Sequence, residues 1–188
     1  MASRKSGAAA SQSAFGSLYA HGFVRVAACA PVVRPAEPAA NAEAILALAR
    51  QADAEKAALL LTPELSLCGY AIDDLLLQDA LLDAVQAALA RLRDESARLF
   101  PILLVGAPLR LAGALYNCAV VIGRGEIMGV VPKSVLPNYR EYYEKRHLDA
   151  ASDRAQGVIQ VAGDEVPFGA DLLFAAQDMR DFIFHAEV

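Results

Sequence analysis

"ALYNCAVVIGRGEIMGVVPK", residues 114–133, is two apolar runs joined by Gly-Arg-Gly-Glu. A short glycine-flanked polar break between two runs rich in Val and Ile predicts a β-hairpin. Working outward toward the N-terminus, "PILLVGAPLR" (101–110) reads as a further strand. Residues 73–100, "DDLLLQDALLDAVQAALARLRDESARLF", are strongly amphipathic and long enough for one or two helices. "ALLLTPE" (58–64) is a short, wholly apolar run, the pattern of a strand buried on both faces. Before it, residues 35–57 place Ile45, Leu46, Leu48 and Ala49 at helical spacing, with Asn41 as the expected cap. "FVRVAACA" (23–30) alternates and ends at Pro31, which predicts the first strand.

Toward the C-terminus, "SVLPNYREYYEKRHLDAASDRAQG" (134–157) has no clear period and is expected to be a long functional loop. Residues 158–188 return to short strands. The last of them, "FIFHAEV" (182–188), reads as the interior of a strand with no polar tail after it. The order β-α-β-α-β-β-β-loop-β predicts an α/β fold with helices packed on a sheet, in one domain without internal repeats. Residues 1–20 are small and polar with early basic residues but lack the apolar core of a signal peptide, so a flexible leader is expected there.

Composition narrows the function. At 56% hydrophobic and 21% charged residues, most of the 188-residue chain is expected to fold rather than stay disordered. A net charge of −5 without a basic block argues against nucleic acid as a partner. No apolar run reaches the roughly 18 residues that a membrane span needs. Cys29, Cys68 and Cys118 are widely spaced, fitting neither a metal site nor a disulfide framework, which suits a reducing cytoplasm.

Chemistry is expected where polar residues follow buried strands. Glu64 comes directly after an apolar strand, and burial there raises a carboxyl toward the range of a general base. A surface or helix-capping carboxylate is the plainer explanation for that segment alone. Lys133 also follows an apolar strand and is suited to stabilise an oxyanion if a carboxylate holds it. Alone, it reads as an ordinary exposed lysine. "YREYYEKRH" (139–147) is by itself a solvated charged loop with aromatics pinned to the core.

Together, "TPELSLCGY" and "LYNCAVVIGRGEIMGVVPKSVLPNYREYYEKRHL" resemble the nitrilase (carbon–nitrogen hydrolase) superfamily. The resemblance implies an α-β-β-α sandwich, incomplete at the C-terminus, and a Glu-Lys-Cys catalytic triad. It places the glutamate at Glu64, the lysine at Lys133 and a supporting glutamate at Glu144. "HGFVRVA", "DDLLLQDALLDAV" and "LPNYREYYE" are more closely similar to one branch, the amidase domain of the glutamine-dependent NAD synthetases. This implies that residues 21–188 are part of a glutaminase domain. Glutamine would be its substrate, with Tyr139 touching it and Tyr142 shaping the pocket.

The same resemblance puts the nucleophilic cysteine directly after Val188, so the nucleophile is expected to be absent from this chain. It implies no cofactor or metal in this part. ATP, Mg and deamido-NAD belong to a synthetase domain absent here, and the family assembles into homo-oligomers. Cys68 is the nearest stand-in, but Cys29 and Cys118 lie in apolar strands where thiols are inert, and none of the three is expected to replace the nucleophile. The alternatives are a stand-alone carbon–nitrogen hydrolase and a non-catalytic nitrilase-like interaction module.

Overall fold

The computed structural model describes residues 16–151 and 156–188. Strands β1 (Val26–Ala28), β2 (Leu59–Leu61) and β3 (Ile102–Leu111) alternate with helices α1 (Pro38–Ala54) and α2 (Asp79–Ser96). They continue into β4 (Ala114–Gly123), β5 (Glu126–Pro132), β6 (Gly157–Val161) and β7 (Asp164–Phe168). These seven strands form one sheet in the order β1-β2-β3-β4-β5-β7-β6. The two βα crossovers make β1, β2 and β3 parallel, whereas β3-β4 and β4-β5 are antiparallel hairpins. The expected hairpin at 114–133 is present. Its two turn residues, Arg124 and Gly125, both have positive φ (57° and 83°), the turn whose twist matches the flanking strands.

Periodicity explains the helical layer. Ala42, Ile45, Leu46 and Ala49 of α1, and Leu82, Val85, Leu89 and Leu92 of α2, recur at three- and four-residue steps. They share one core with Leu103, Val105, Ala107 and Leu109 of β3, which alternate along the strand. Pro38 opens α1, where its missing N–H costs nothing. Asn41 does not cap the helix as expected. It lies in the first turn, buried, and bonds Arg34 N and O and Leu67 O, because an amide in the core needs backbone partners.

The other face of the sheet differs from expectation. β2 is not buried on both faces, since Leu61 is 48% exposed while Leu60 faces the helices. The strand at 182–188 does not enter the main sheet. β8 (Leu173–Ala175) and β9 (Ile183–His185) pair with each other, and Phe174 stacks on Phe184 at 5.2 Å. This ribbon lies over β4 and β5. Gly129 leaves room for Phe174, whose ring atoms would be 3.2 Å from a Cβ there. The described residues therefore form a helical layer, one sheet and a ribbon, a mixed α/β arrangement with the helices packed on the sheet as expected.

Residues 1–15 of the expected leader lie outside the described residues. Its last residues are structured: Leu18–His21 form a 3-10 turn, and the Tyr19 hydroxyl bonds the Lys56 carbonyl at 2.6 Å. Among the described residues no helix is long and apolar enough to cross a membrane.

Candidate active site

Glu64 follows β2, and its segment is held against the middle of β3. Thr62 Oγ1 donates to Leu104 O (3.1 Å) and accepts from Gly106 N (3.2 Å), while Leu67 N bonds Gly106 O (3.1 Å). A side chain at Gly106 would put Cβ 2.3 Å from Pro63 O and 2.5 Å from Leu65 N, so only glycine permits this approach. Leu65 has φ 50°, and the chain turns sharply right after the glutamate.

Lys133 comes off the end of β5, its amide bonded to Asn117 O of β4 at 2.8 Å. Lys133 is 7% exposed, and its ammonium donates to Glu64 Oε2 at 2.7 Å and Glu144 Oε1 at 3.0 Å. Burial works against the charge, but the hydrogen bonds and charges of Glu64 and Glu144 outweigh it and hold the Lys133 pKa above its ordinary value. Glu64 is not buried as expected. Its side chain is 40% exposed because it sits at the open end of the sheet, and it lines the pocket. Glu144, in the 3-10 turn Glu144–Arg146, is buried, and its Oε2 has no protein partner.

The loop 134–157, of which 134–151 and 156–157 are described, forms the other wall. Tyr139 and Tyr142 pack 5.8 Å apart beside Glu64, Lys133 and Glu144, around an open pocket of about 520 Å³. All five residues singled out in the sequence thus meet in one place. The loop is tied to the 3-10 turn Asp73–Leu77 by Tyr143 on Asp73 and by Arg146 and His147 on Asp74.

Three contributors were not singled out in the sequence. Asn117 Nδ2 donates to Glu64 Oε2 at 2.7 Å. The Tyr70 hydroxyl donates to Glu144 Oε1; its desolvation, followed by that bond and the carboxylate charge, pushes its pKa up. Asp74 anchors the loop. Asn117 left a signal, a lone amide inside the apolar run of β4, whereas Tyr70 and Asp74 resemble ordinary surface residues.

The arrangement combines a half-open carboxylate with a fixed ammonium and a second, buried carboxylate. Such a set can move a proton and stabilise a developing oxyanion. None of the three cysteines lines this pocket. Burial raises the Cys29 thiol, pushes Cys68 up to about 12 and raises Cys118 further, so none is a ready thiolate.

The carbon-nitrogen hydrolase family profile matches residues 24–171. A glutamine-dependent NAD(+) synthetase of Mycobacterium tuberculosis is 55% identical over 174 residues, 93% of this chain and 26% of that protein. The chain thus spans about a quarter of the length of the curated relatives it matches. The crystal structure of a glutamine-dependent NAD(+) synthetase from Cytophaga hutchinsonii superposes with TM-score 0.75 at 26% identity, over 82% of this chain and 26% of that one. An amidase from Nesterenkonia sp. superposes with TM-score 0.58 at 25% identity, over 77% and 54%.

Proposed function

The chain belongs to the carbon–nitrogen hydrolase family, and from that premise we propose that it is the glutamine-hydrolysing part of a glutamine-dependent NAD(+) synthetase. The observation that carries this reading is the Lys133 ammonium, bonded to both Glu64 and Glu144 at the floor of a tyrosine-walled pocket. The 55% identity to an NAD(+) synthetase supports the choice of branch.

In the proposed reaction a cysteine thiol gives its proton to Glu64 as sulfur bonds to the side-chain amide carbon of glutamine. The third Lys133 proton, not used on Glu64 or Glu144, stabilises the oxyanion. Glu64 returns the proton to nitrogen, the C–N bond breaks and ammonia leaves. Water then gives Glu64 a proton and adds to the thioester. The C–S bond breaks, glutamate departs, and Glu64 hands the proton back to sulfur. Tyr139 and Tyr142 hold the glutamine.

The resemblance places the cysteine after Val188. Supporting that placement, Ala186 and Val188 share an apolar cluster with Val131, two residues before Lys133. The ammonia would amidate deamido-NAD to NAD in an ATP-dependent step that other residues perform. Among the described residues no group of three or more His, Cys, Asp or Glu could hold a metal. In the same reading ATP and Mg serve that synthetase step and are assigned no residue here. A cytoplasmic location and a homo-oligomer go with the same reading.

The test is glutamine hydrolysis by the longest natural polypeptide carrying these residues, read as ammonia and glutamate release. Hydrolysis that falls at least a hundredfold in Glu64→Gln is the expected result. Turnover of other amides but not glutamine would point to a stand-alone hydrolase, and no turnover to a non-catalytic module.

A further inference from the structure

We propose that Asn117 is a positioning residue that fixes which oxygen of Glu64 stays free to take a proton. The inference rests on the reading of Glu64 as the proton-transfer group. It begins from a contrast between two buried asparagines. Asn41 is 1% exposed, and both ends of its amide are bonded to backbone. Asn117 is 0% exposed, yet its side chain makes one bond, from Nδ2 to Glu64 Oε2 at 2.7 Å, and its buried Oδ1 has no protein partner. An unpartnered buried carbonyl is unfavourable, and a purely structural amide would turn to satisfy it. Here the reverse orientation would set Oδ1 against a carboxylate oxygen. The amide is held with its N–H on Glu64 because that contact dominates.

The backbone makes the placement doubly specific. Asn117 O accepts the Lys133 amide at 2.8 Å while its side chain holds Glu64. One residue of β4 therefore sets both members of the Glu64–Lys133 pair, which are 69 residues apart. With Asn117 and Lys133 both on Oε2, Oε1 is left without a hydrogen-bond partner among the described residues. Two donors on one oxygen stop the carboxylate from rotating and direct the other at the pocket. Preset geometry of this kind acts on turnover more than on substrate binding.

Two measurements test this. In the longest natural polypeptide carrying these residues, labelled with ¹⁵N-asparagine, the Asn117 side-chain amide signal in a ¹H–¹⁵N spectrum should move when Glu64→Gln replaces the charged acceptor. An unmoved signal would overturn the contact whether or not the protein hydrolyses glutamine. In the same polypeptide, Asn117→Asp and Asn117→Leu should lower kcat for glutamine by about 10- to 100-fold, the worth of a charge-assisted bond. KM should change less than about threefold, in keeping with a contact felt mainly in the transition state. Asn117→Asp, but not Asn117→Leu, should also move the acid limb of the pH–rate profile to higher pH by placing a second carboxylate beside the first. Wild-type kcat in a natively folded Asn117→Asp, or loss of the fold in both variants, would overturn the proposal. Absence of hydrolysis in the parent would instead count against the glutaminase reading, with the amide signal still deciding the Asn117 contact.

Discussion

His147 Nε2 lies 2.8 Å from Asp74 Oδ1, joining the loop that carries Glu144 to the 3-10 turn Asp73–Leu77 that precedes α2. Arg146 reaches the same carboxylate at 3.2 and 3.3 Å. The hydrogen bond from His147, then that from Arg146, holds the Asp74 carboxyl below its ordinary pKa. A depressed carboxyl stabilises the folded state above its unfolded value, near 3.9, and that contribution fades as pH falls through the lower folded value. Asp74→Asn should therefore lower the melting temperature at pH 7 and converge with the parent in strong acid. An equal difference at both pH values would contradict the clamp.

Lys133 is the counter-charge for two carboxylates, one of them buried. Lys133→Met should destabilise the chain by about 3 kcal/mol, because it strands Glu144 in the interior. Adding Glu144→Gln should recover much of that loss. The raised pKa of Lys133 means its contribution is full below the unfolded lysine value, near 10.4, and is lost as pH rises through the higher folded value. Urea unfolding at neutral and strongly alkaline pH tests both parts.

Gly106→Ala should cost about 1–3 kcal/mol by overpacking, since its Cβ meets backbone rather than a movable side chain. The displaced element is the Pro63–Leu65 segment, so Glu64 should withdraw from Lys133. A crystal structure of the variant with the 2.7 Å contact intact would refute this.

The three thiols should be poor nucleophiles at neutral pH. Cys68 and Cys118 should react with a thiol reagent only on unfolding, and half-buried Cys29 slowly. An electrophilic glutamine analogue should label none of them. Mass spectrometry finding the label on Cys68 would make that residue a working nucleophile.

The outer face of the sheet exposes Val26 and Leu61, and the β8-β9 ribbon exposes Leu173 and Ile183. Apolar surface of this extent should make the isolated 188-residue chain associate and melt with poor cooperativity. A sharp thermal transition from a soluble monomer, seen by calorimetry and light scattering, would count against that expectation.

Periodicity and punctuation in the sequence were enough for the element order. The three- and four-residue steps of α1 and α2, the hairpin at Arg124-Gly125 and the unperiodic loop after Lys133 are local properties of neighbouring residues. Burial was not local. Leu61 looks as apolar as Leu60, but which face of β2 is covered depends on what packs there. Glu64 follows an apolar strand and is nonetheless 40% exposed, because strand ends open onto the loop side of the sheet.

The sequence by itself determined the α/β pattern and, through residues resembling a known family, singled out Glu64, Lys133, Glu144, Tyr139 and Tyr142 as candidates. Tertiary structure decided how they are connected. Asn117 and Glu64 stand 53 residues apart, and Lys133 and Glu64 stand 69 apart. They meet because β2, β3, β4 and β5 are adjacent in one sheet, and strand register sets which side chains emerge side by side at its end. No local pattern encodes that register, so the role of a single asparagine in β4 became visible only once the strands were paired.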